Sequence, residues 1–326
     1  MKRNSLEKLF NAFKQQTIAV IGDVMLDKYI FGHVSRISPE APVPVIDVRE
    51  ESFRLGGAAN VAMNIHSLGG NALLFGVCGN DADSEQLLAE MTAQGFSPDS
   101  LMQVSGRPTT CKTRVIAHNH HIVRIDSETR EPISKETETH LFENLESKIK
   151  GLSAIIFEDY NKGVLSTSLI KRVTDLAIRH DVPILVDPKK NFFFDYQNCT
   201  VFKPNLKEVS EALGHSFRNT DEDIELACKM LGEKLKTKYM VLTRGEKGIS
   251  VFNQTLTHLP SVALEVADVS GAGDTVIAVL TLGLTAGLDI VDAARLANFA
   301  AGIVCAEVGA VSVNRDKLFT YCMEYF

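Results

Sequence analysis

The sequence predicts an α/β fold: three layers (α/β/α), with a mostly parallel central sheet covered by helices on both faces. Three observations predict it. Short apolar runs with strand character alternate with helical patterns along most of the chain, the signature of strands joined by crossover helices. Polar clusters at 22–27, 158–163, 187–190, 203–208, 243–245 and 268–274 mostly follow those runs, which gathers them on the sheet edge where open α/β sheets bind ligands. Two segments, about 28–54 and 108–126, break the rhythm and read as excursions from the main domain.

Leu6, Leu9, Phe10 and Phe13 recur at helical spacing and predict a lead-in helix over 4–15. An apolar, β-rich run at 17–21 ends in Gly22-Asp23, and Asp27 follows four residues on. Within 28–54, Pro39, Pro42 and Pro44 exclude a helix, and Val43, Val45 and Val48 suggest a strand with one covered face. Gly56-Gly57-Ala58-Ala59-Asn60 is expected to open a helix ending near Leu68. A strand at 71–78 and a helix at 83–94 come next. The second excursion, 109–117 and 122–126, turns at His118-Asn119-His120-His121; no further ligands stand at metal spacing, so the turn reads as a polar hairpin tip.

The core then resumes. Helices at 134–149, 166–180 and 222–236 alternate with strands at 154–157, 184–186, 200–202 and 239–242. The 200–202 strand leads into Lys203-Pro204-Asn205-Leu206-Lys207-Glu208. A hairpin at about 248–259 precedes an apolar run at 275–288, read as a buried helix; a second small-residue helix at 292–306 and an amphipathic C-terminal piece follow.

The chemistry concentrates in Asp268-Val269-Ser270-Gly271-Ala272-Gly273-Asp274. Two glycines and an alanine leave the backbone bare, so another molecule can approach it closely. A glycine-rich turn opening a helix aims unpaired N–H groups and the positive end of the helix dipole at one spot, which suits an anion such as phosphate. Asp274 falls in the first helical turn beside that spot. It either caps the helix, as Asp often does, or takes a proton from an attacking hydroxyl. Asn60 can both donate and accept hydrogen bonds, which suits a sugar, while the alternative for its glycine-rich segment is a turn needed only for packing.

Composition excludes several partners. The 326 residues carry a formal charge of −7, which gives no support for nucleic acid or an anionic membrane surface. The apolar run at 275–288 is too short, and too broken by Thr and Gly, for a membrane span. Six cysteines lack CxxC spacing, as expected of buried thiols in a reducing compartment. The charged N-terminus has no apolar signal core, so a cytoplasmic location is expected.

No GxxxxGK[ST], no GxGxxG after the first strand, no GxSxG and no HExxH is present. What remains is an anion-binding turn with a carboxylate, basic residues on the same edge and a Gly/Asn-rich site suited to a sugar. Phosphoryl transfer fits all three, because it needs mainly positioning and charge neutralisation. Mg²⁺ on the phosphates would take few protein ligands, and Asn205 and Glu208, one helical turn apart, are the candidates.

These residues carry a resemblance to the ribokinase-like (PfkB) carbohydrate kinases over nearly the whole chain. Gly56 to Ala62, with Gly69 and Gly79, resembles the first signature of that family, and Asp268 to Asp274 resembles the second. The resemblance implies Asp274 as general base and the backbone of Gly271, Ala272 and Gly273 as the anion hole. It puts Asn205, Leu206, Lys207, Glu208, Thr243, Gly245 and Asn298 on the nucleotide side, with Mg²⁺ held near Asn205 and Glu208 through water or phosphate. ATP would be the co-substrate, and a monovalent cation near Asp268 is a further expectation. The resemblance also implies a single domain over residues 1–326, with segments 28–54 and 108–126 inserted in it as a small β-sheet lid over the sugar that makes a homodimer contact.

A narrower resemblance is to the kinases of D-glycero-β-D-manno-heptose 7-phosphate. Gly22 to Asp27, the run Arg36-Ile37-Ser38-Pro39-Glu40-Ala41-Pro42-Val43-Pro44 and Asp159-Tyr160-Asn161-Lys162-Gly163 carry it. It implies phosphorylation of the anomeric hydroxyl to the 1,7-bisphosphate, a precursor of ADP-heptose for lipopolysaccharide. Asp23, Asp27, Arg36, Gly56, Gly57, Asn60, Asn161 and Lys162 would contact the sugar, with Arg36 and Lys162 as clamps on its phosphate. Glu158 departs from the pattern where a small residue is common, and Lys190 where Gly is. No HxGH is present, so a nucleotidyltransferase step is expected from another protein. Alternatives are a related kinase for an unphosphorylated sugar or nucleoside, and a non-catalytic sugar sensor.

Overall fold

The structure, a computed structural model, describes residues 2–118, 120–262 and 266–326. In chain order the elements begin with α1 (Arg3–Ala12), β1 (Thr17–Gly22), β2 (Val24–Ile37), β3 (Pro44–Gly57), α2 (Ala58–Ser67), β4 (Asn71–Cys78), α3 (Ala82–Ala93) and β5 (Leu101–Gln103). There follow β6 (Cys111–Ala117), β7 (His120–Ser127), α4 (Lys135–Lys148), β8 (Ala154–Glu158), α5 (Thr167–Arg179), β9 (Ile184–Asp187) and β10 (Val201–Phe202). The last are α6 (Leu206–Leu213), α7 (Asp221–Leu235), β11 (Tyr239–Thr243), β12 (Ile249–Asn253), β13 (Thr255–Leu259), α8 (Ala272–Thr285), α9 (Ile290–Cys305) and α10 (Arg315–Tyr325).

Among the described residues, nine strands form one sheet in the order β13-β12-β11-β10-β9-β8-β1-β4-β5. The strands from β11 through β5 pair in parallel, and the β12–β13 hairpin adds an antiparallel edge. Burial on both faces explains the near-continuous apolar strands. Along β1, Ile18 and Val20 point to one core and Ala19 and Ile21 to the other. The first core is closed by α1, α2, α3, α8, α9 and α10, the second by α4, α5, α6 and α7. Polar side chains start the crossover helices: Asp81, Ser134, Ser166 and Thr220 each accept a backbone N–H at an N-cap.

A second sheet, β3-β2-β6-β7, forms the lid. It is longer than the expected excursion, because β2 starts directly after Asp23 and β3 runs through to Gly57. Gly56 and Gly57 therefore end a strand instead of opening the helix, which begins at Ala58. Gly57 has φ +56°, and a Cβ there would meet the Asp23 carbonyl oxygen at 2.5 Å, so a side chain is excluded. One short element, β5, is not expected, and α6 extends the helical turn expected at Asn205 and Glu208. β5 has three residues at the sheet edge, too few for a period to show. Asn119, at the expected hairpin tip, lies outside the described residues.

Candidate active site

Parallel pairing delivers charged residues to one edge. β1 ends opposite β8, with Gly22 paired to Glu158, and β8 ends opposite β9, with Glu158 paired to Asp187. Lys203 follows β10, and its Nζ lies 2.6 Å from Asp187 Oδ2. Helix α8 starts above this edge. Its N-cap, Gly271, is left-handed (φ 76°, ψ 0°), and a Cβ there would lie 2.7 Å from Asn60 Nδ2.

Asp274 is almost fully buried in the first turn of α8. Its carboxylate is turned onto two side chains and not back onto the helix start: Asn60 Nδ2 donates to Oδ2 at 2.8 Å and the Tyr160 hydroxyl to Oδ1 at 2.8 Å. Asn60 is itself held by Asn64, whose Nδ2 donates to the Asn60 backbone oxygen (2.9 Å) and Oδ1 (3.2 Å). Burial pushes the Asp274 pKa up, and the two donors work against that rise. The arrangement suits a proton acceptor more than a cap.

Glu158, Asp187 and Asp274 each place a carboxylate oxygen within 4.8 Å of the others, all buried. Burial first, then the charges of Asp187 and Asp274, hold the Glu158 pKa well above the usual carboxylate range. Burial works against the charge of Lys203, but Asp187 beside it outweighs that and raises its pKa. Lys189 pairs with Glu208, and its ammonium lies 5.2 Å from the centre of the Tyr160 ring.

Beyond Gly273 opens a pocket of about 470 Å³, lined among others by Asn205, Thr243, Gly245, Val269, Ala272 and Asn298. On the other side lies the loop after β8. Asp23 staples it: the N–H groups of Tyr160 and Lys162 donate to Oδ2 at 2.8 and 3.0 Å, and that of Val164 to Oδ1 at 3.2 Å. Asn161 is left-handed (φ 53°) with a buried Oδ1 that has no hydrogen-bond partner. The cross-strand row Arg54, Asp27, Lys112, Asp126 and the next row with Tyr29, Arg114 and Arg124 occupy the same face of the lid. Arg114 donates to Asp27 Oδ1 at 2.5 Å, and Lys162 Nζ lies 2.6 Å from Glu128 Oε1.

The model of the pfkB family carbohydrate kinases matches residues 15–317. The chain belongs to that family. Among curated relatives, the bifunctional protein HldE of Trichlorobacter lovleyi is 42% identical over 320 residues, covering 98% of this chain and 65% of that protein. The bifunctional protein HldE of Methylobacillus flagellatus is 43% identical over 303 residues, 92% of this chain and 62% of that protein. The chain thus spans about two thirds of the length of the curated relatives it matches. Among solved structures, ribokinase of Arabidopsis thaliana with ribose and ATP superposes with a TM-score of 0.75 at 19% identity, over 95% of this chain and 99% of that one. Phosphofructokinase-2 of Escherichia coli with substrates and products does so at 0.75 and 17% identity, over 94% and 99%. These two likenesses carry the fold.

Within this pfkB-family framework the expected site residues take the following places. Ala272 and Gly273 line the pocket, Asp274 is bonded to Asn60, Asn161 and Lys162 lie on the loop that Asp23 staples, and Gly271 abuts Asn60. Asp27 faces the cleft beside Gly56, whose missing Cβ leaves room for its carboxylate. Asn205, Thr243, Gly245 and Asn298 line the pocket, although the Asn298 amide also donates to the Pro260 carbonyl at 2.7 Å. Three expectations need correction, and a fourth pair of residues has a structural role beside the expected one. Asp23 is spent on backbone N–H groups and positions the loop instead of meeting a sugar. Arg36 is exposed near the end of β2, away from the cleft. Leu206 packs toward the second core, and Lys207 is exposed and pairs with Glu211. Asn205 and Glu208 bond each other in a capping box that starts α6, and Glu208 also binds Lys189. Tyr160, Lys189, Lys203 and Arg114 join these residues without a motif of their own; for Tyr160 and Lys203 the signal in the sequence is position alone, after a buried strand.

Among the described residues no helix is long and apolar enough to cross a membrane.

Proposed function

We propose that the chain transfers the γ-phosphoryl group of ATP to the anomeric hydroxyl of D-glycero-β-D-manno-heptose 7-phosphate, giving the 1,7-bisphosphate that feeds ADP-heptose and lipopolysaccharide synthesis. One observation carries this reading: a buried carboxylate, Asp274, oriented by two donors, directly follows Ala272 and Gly273, which line a pocket of about 470 Å³. Asp274 takes the proton of the sugar hydroxyl, whose oxygen forms the new bond to the γ-phosphorus while the bond to the β,γ-bridging oxygen breaks and ADP departs. The first-turn N–H groups of α8 and the ammonium of Lys203 face the oxygens of the transferring group.

Mg²⁺ with the nucleotide would be held at Asn205, which lines the pocket, and at Glu208, its capping-box partner, few protein ligands being what an ion held mostly by phosphate and water takes. That ion supplies charge neutralisation. A monovalent cation near Asp268 belongs to the same reading; that carboxylate accepts from Ser270 and Gly309 and so ties the glycine-rich turn to the loop beyond α9. The acceptor phosphate is matched by Lys162, Lys112, Arg114 and Arg124, all on the cleft side of the lid or facing it. The opposite lid face exposes Val48, Val123 and Ile125, which supports pairing with a second copy.

The test is ADP release with Mg-ATP across heptose 7-phosphate, fructose 6-phosphate, ribose, fructose and adenosine. Turnover confined to the heptose phosphate, and lowered at least about a hundredfold in Asp274→Asn, is the expected result. Turnover on an unphosphorylated acceptor would retain the kinase and refute the phosphate reading. Sugar binding without any turnover would refute both.

A further inference from the structure

Glu158 is the buried group that the proposed reaction leaves unused. Its side chain is fully inaccessible, and neither carboxylate oxygen has a hydrogen-bond partner. Every other acid around it is served. Asp274 receives Asn60 and Tyr160, Asp187 receives Lys203, and Glu208 receives Lys189 and the Asn205 N–H. The charged groups facing Glu158 are Asp187, Asp274, Lys203 and Lys189. With both lysines committed to other carboxylates, the cluster holds more negative than positive charge away from water, which is unfavourable without a further compensating charge.

A proton would cancel that charge without satisfying the group. No donor reaches either oxygen, and protonation brings none from the surrounding chain. A small divalent cation resolves both problems, since carboxylate oxygens are its preferred ligands and it uses several at once. The spacing fits, because Glu158, Asp187 and Asp274 offer oxygens within 4.8 Å of one another. The place is also accessible to phosphate chemistry. A Cβ on Gly273 would lie 3.7 Å from Asp187 Oδ2, so the cluster sits directly beneath the glycine-rich turn.

We propose that Glu158 and Asp187, with Asp274 beside them, form a site for a hard divalent cation, distinct from the ion that accompanies the nucleotide at Glu208. Its use in phosphoryl transfer rests on the kinase reading; its binding does not. The experiment is therefore run without nucleotide or sugar. Mn²⁺ is titrated into the full chain and free Mn²⁺ is followed by electron paramagnetic resonance, with Mg²⁺ as competitor. One ion per chain is expected, weakened at least about tenfold in Glu158→Gln and changed less than about twofold in Glu208→Gln, as for loss of one carboxylate from a shared site. Thermal melting gives a second readout: Mn²⁺ raises the Tm of the wild type but not of Glu158→Gln or Glu158→Ser. Equal Mn²⁺ affinity in the wild type and Glu158→Gln would overturn the site. So would a wild-type chain that retains no Mn²⁺ while showing a protonated-carboxyl infrared band that Glu158→Gln removes.

Discussion

The Tyr160 hydroxyl donates to Asp274 Oδ1 at 2.8 Å, across 114 residues of sequence. Tyr160 lies at the mouth of β8 and Asp274 in the first turn of α8, so this bond joins the edge of the parallel sheet to the helix that carries the candidate base. Together with Asn60 on the other oxygen, it fixes where that carboxylate points.

Removing this donor leaves a measurable trace in pH dependence. Burial raises the Asp274 pKa, and the Tyr160 hydrogen bond lowers it by favouring the charged form. In Tyr160→Phe the pKa therefore rises further. Because only the ionised carboxylate accepts a proton, kcat/KM falls as pH drops through that pKa, and in the variant it falls at a higher pH. The acid limb of the pH–rate profile is expected to move up by roughly one unit, the worth of a hydrogen bond to a charged group. A limb that stays in place would separate Tyr160 from the base.

Gly271 controls the same carboxylate from behind. Ala at this left-handed position costs about 1–2 kcal/mol of backbone strain. Its Cβ would also push on Asn60 Nδ2 at 2.7 Å and displace a donor to Asp274. Gly271→Ala is expected to lower kcat at least about tenfold, with a Tm loss of only a few degrees. Tm and kcat are measured on the same preparation; a Tm loss with full kcat would break the link from Gly271 to the base.

Lys162 is the lysine on the loop that Asp23 staples, and it is 8% exposed. Its pairing with Glu128 at 2.6 Å is shared with Lys112, so Glu128 keeps a partner when Lys162 is removed. Lys162→Met is expected to raise the KM for a phosphorylated acceptor at least about tenfold while kcat changes little, as for a lost ionic contact to the ground state. Arg36→Ala, outside the cleft, is expected to leave KM within about twofold. Steady-state kinetics of the two variants side by side decides whether the phosphate sits at the loop or at the far end of the lid.

Asp159 predicts a pH-dependent stability. Burial raises its pKa from 3.8 to about 6, against hydrogen bonds from the Asn161 N–H and the Tyr196 hydroxyl. A carboxyl whose folded pKa is raised favours the folded state below its unfolded pKa, and that contribution is lost as pH rises through the folded value. Asp159→Asn, which does not titrate, is therefore expected to gain on the wild type between about pH 4 and 6, by up to about 3 kcal/mol, and to run parallel above that. Urea unfolding across the pH range reads the difference; a constant gap would refute the assignment.

The local code was strong where short-range physics sets the answer. Apolar runs with polar residues at their ends located β1, β4, β8, β9 and β11 to within a residue or two, because a strand buried on both faces has no other composition open to it. The glycine-rich turn before α8 was legible for a related reason: only residues without side chains allow both a left-handed start and close approach of a ligand. What was not legible depended on partners far along the chain. Asp23 looked like a ligand-binding acid, yet three N–H groups from residues 160–164 consume it. Arg36 lay in the most distinctive run of the sequence, but strand register carries it away from the cleft.

The sequence by itself determined the layered α/β architecture, the edge at which chemistry would gather and the carboxylate at its centre, since periodicity, turn chemistry and motif spacing are all local. Only the tertiary structure decided which polar groups are satisfied and which are not. Asp274 is oriented by residues 114 and 214 positions away, whereas Glu158, in an equally polar segment, is left without a partner. Hydrogen bonding and burial are properties of neighbours in space, and a buried charge gains its function from the partners that the fold supplies or withholds.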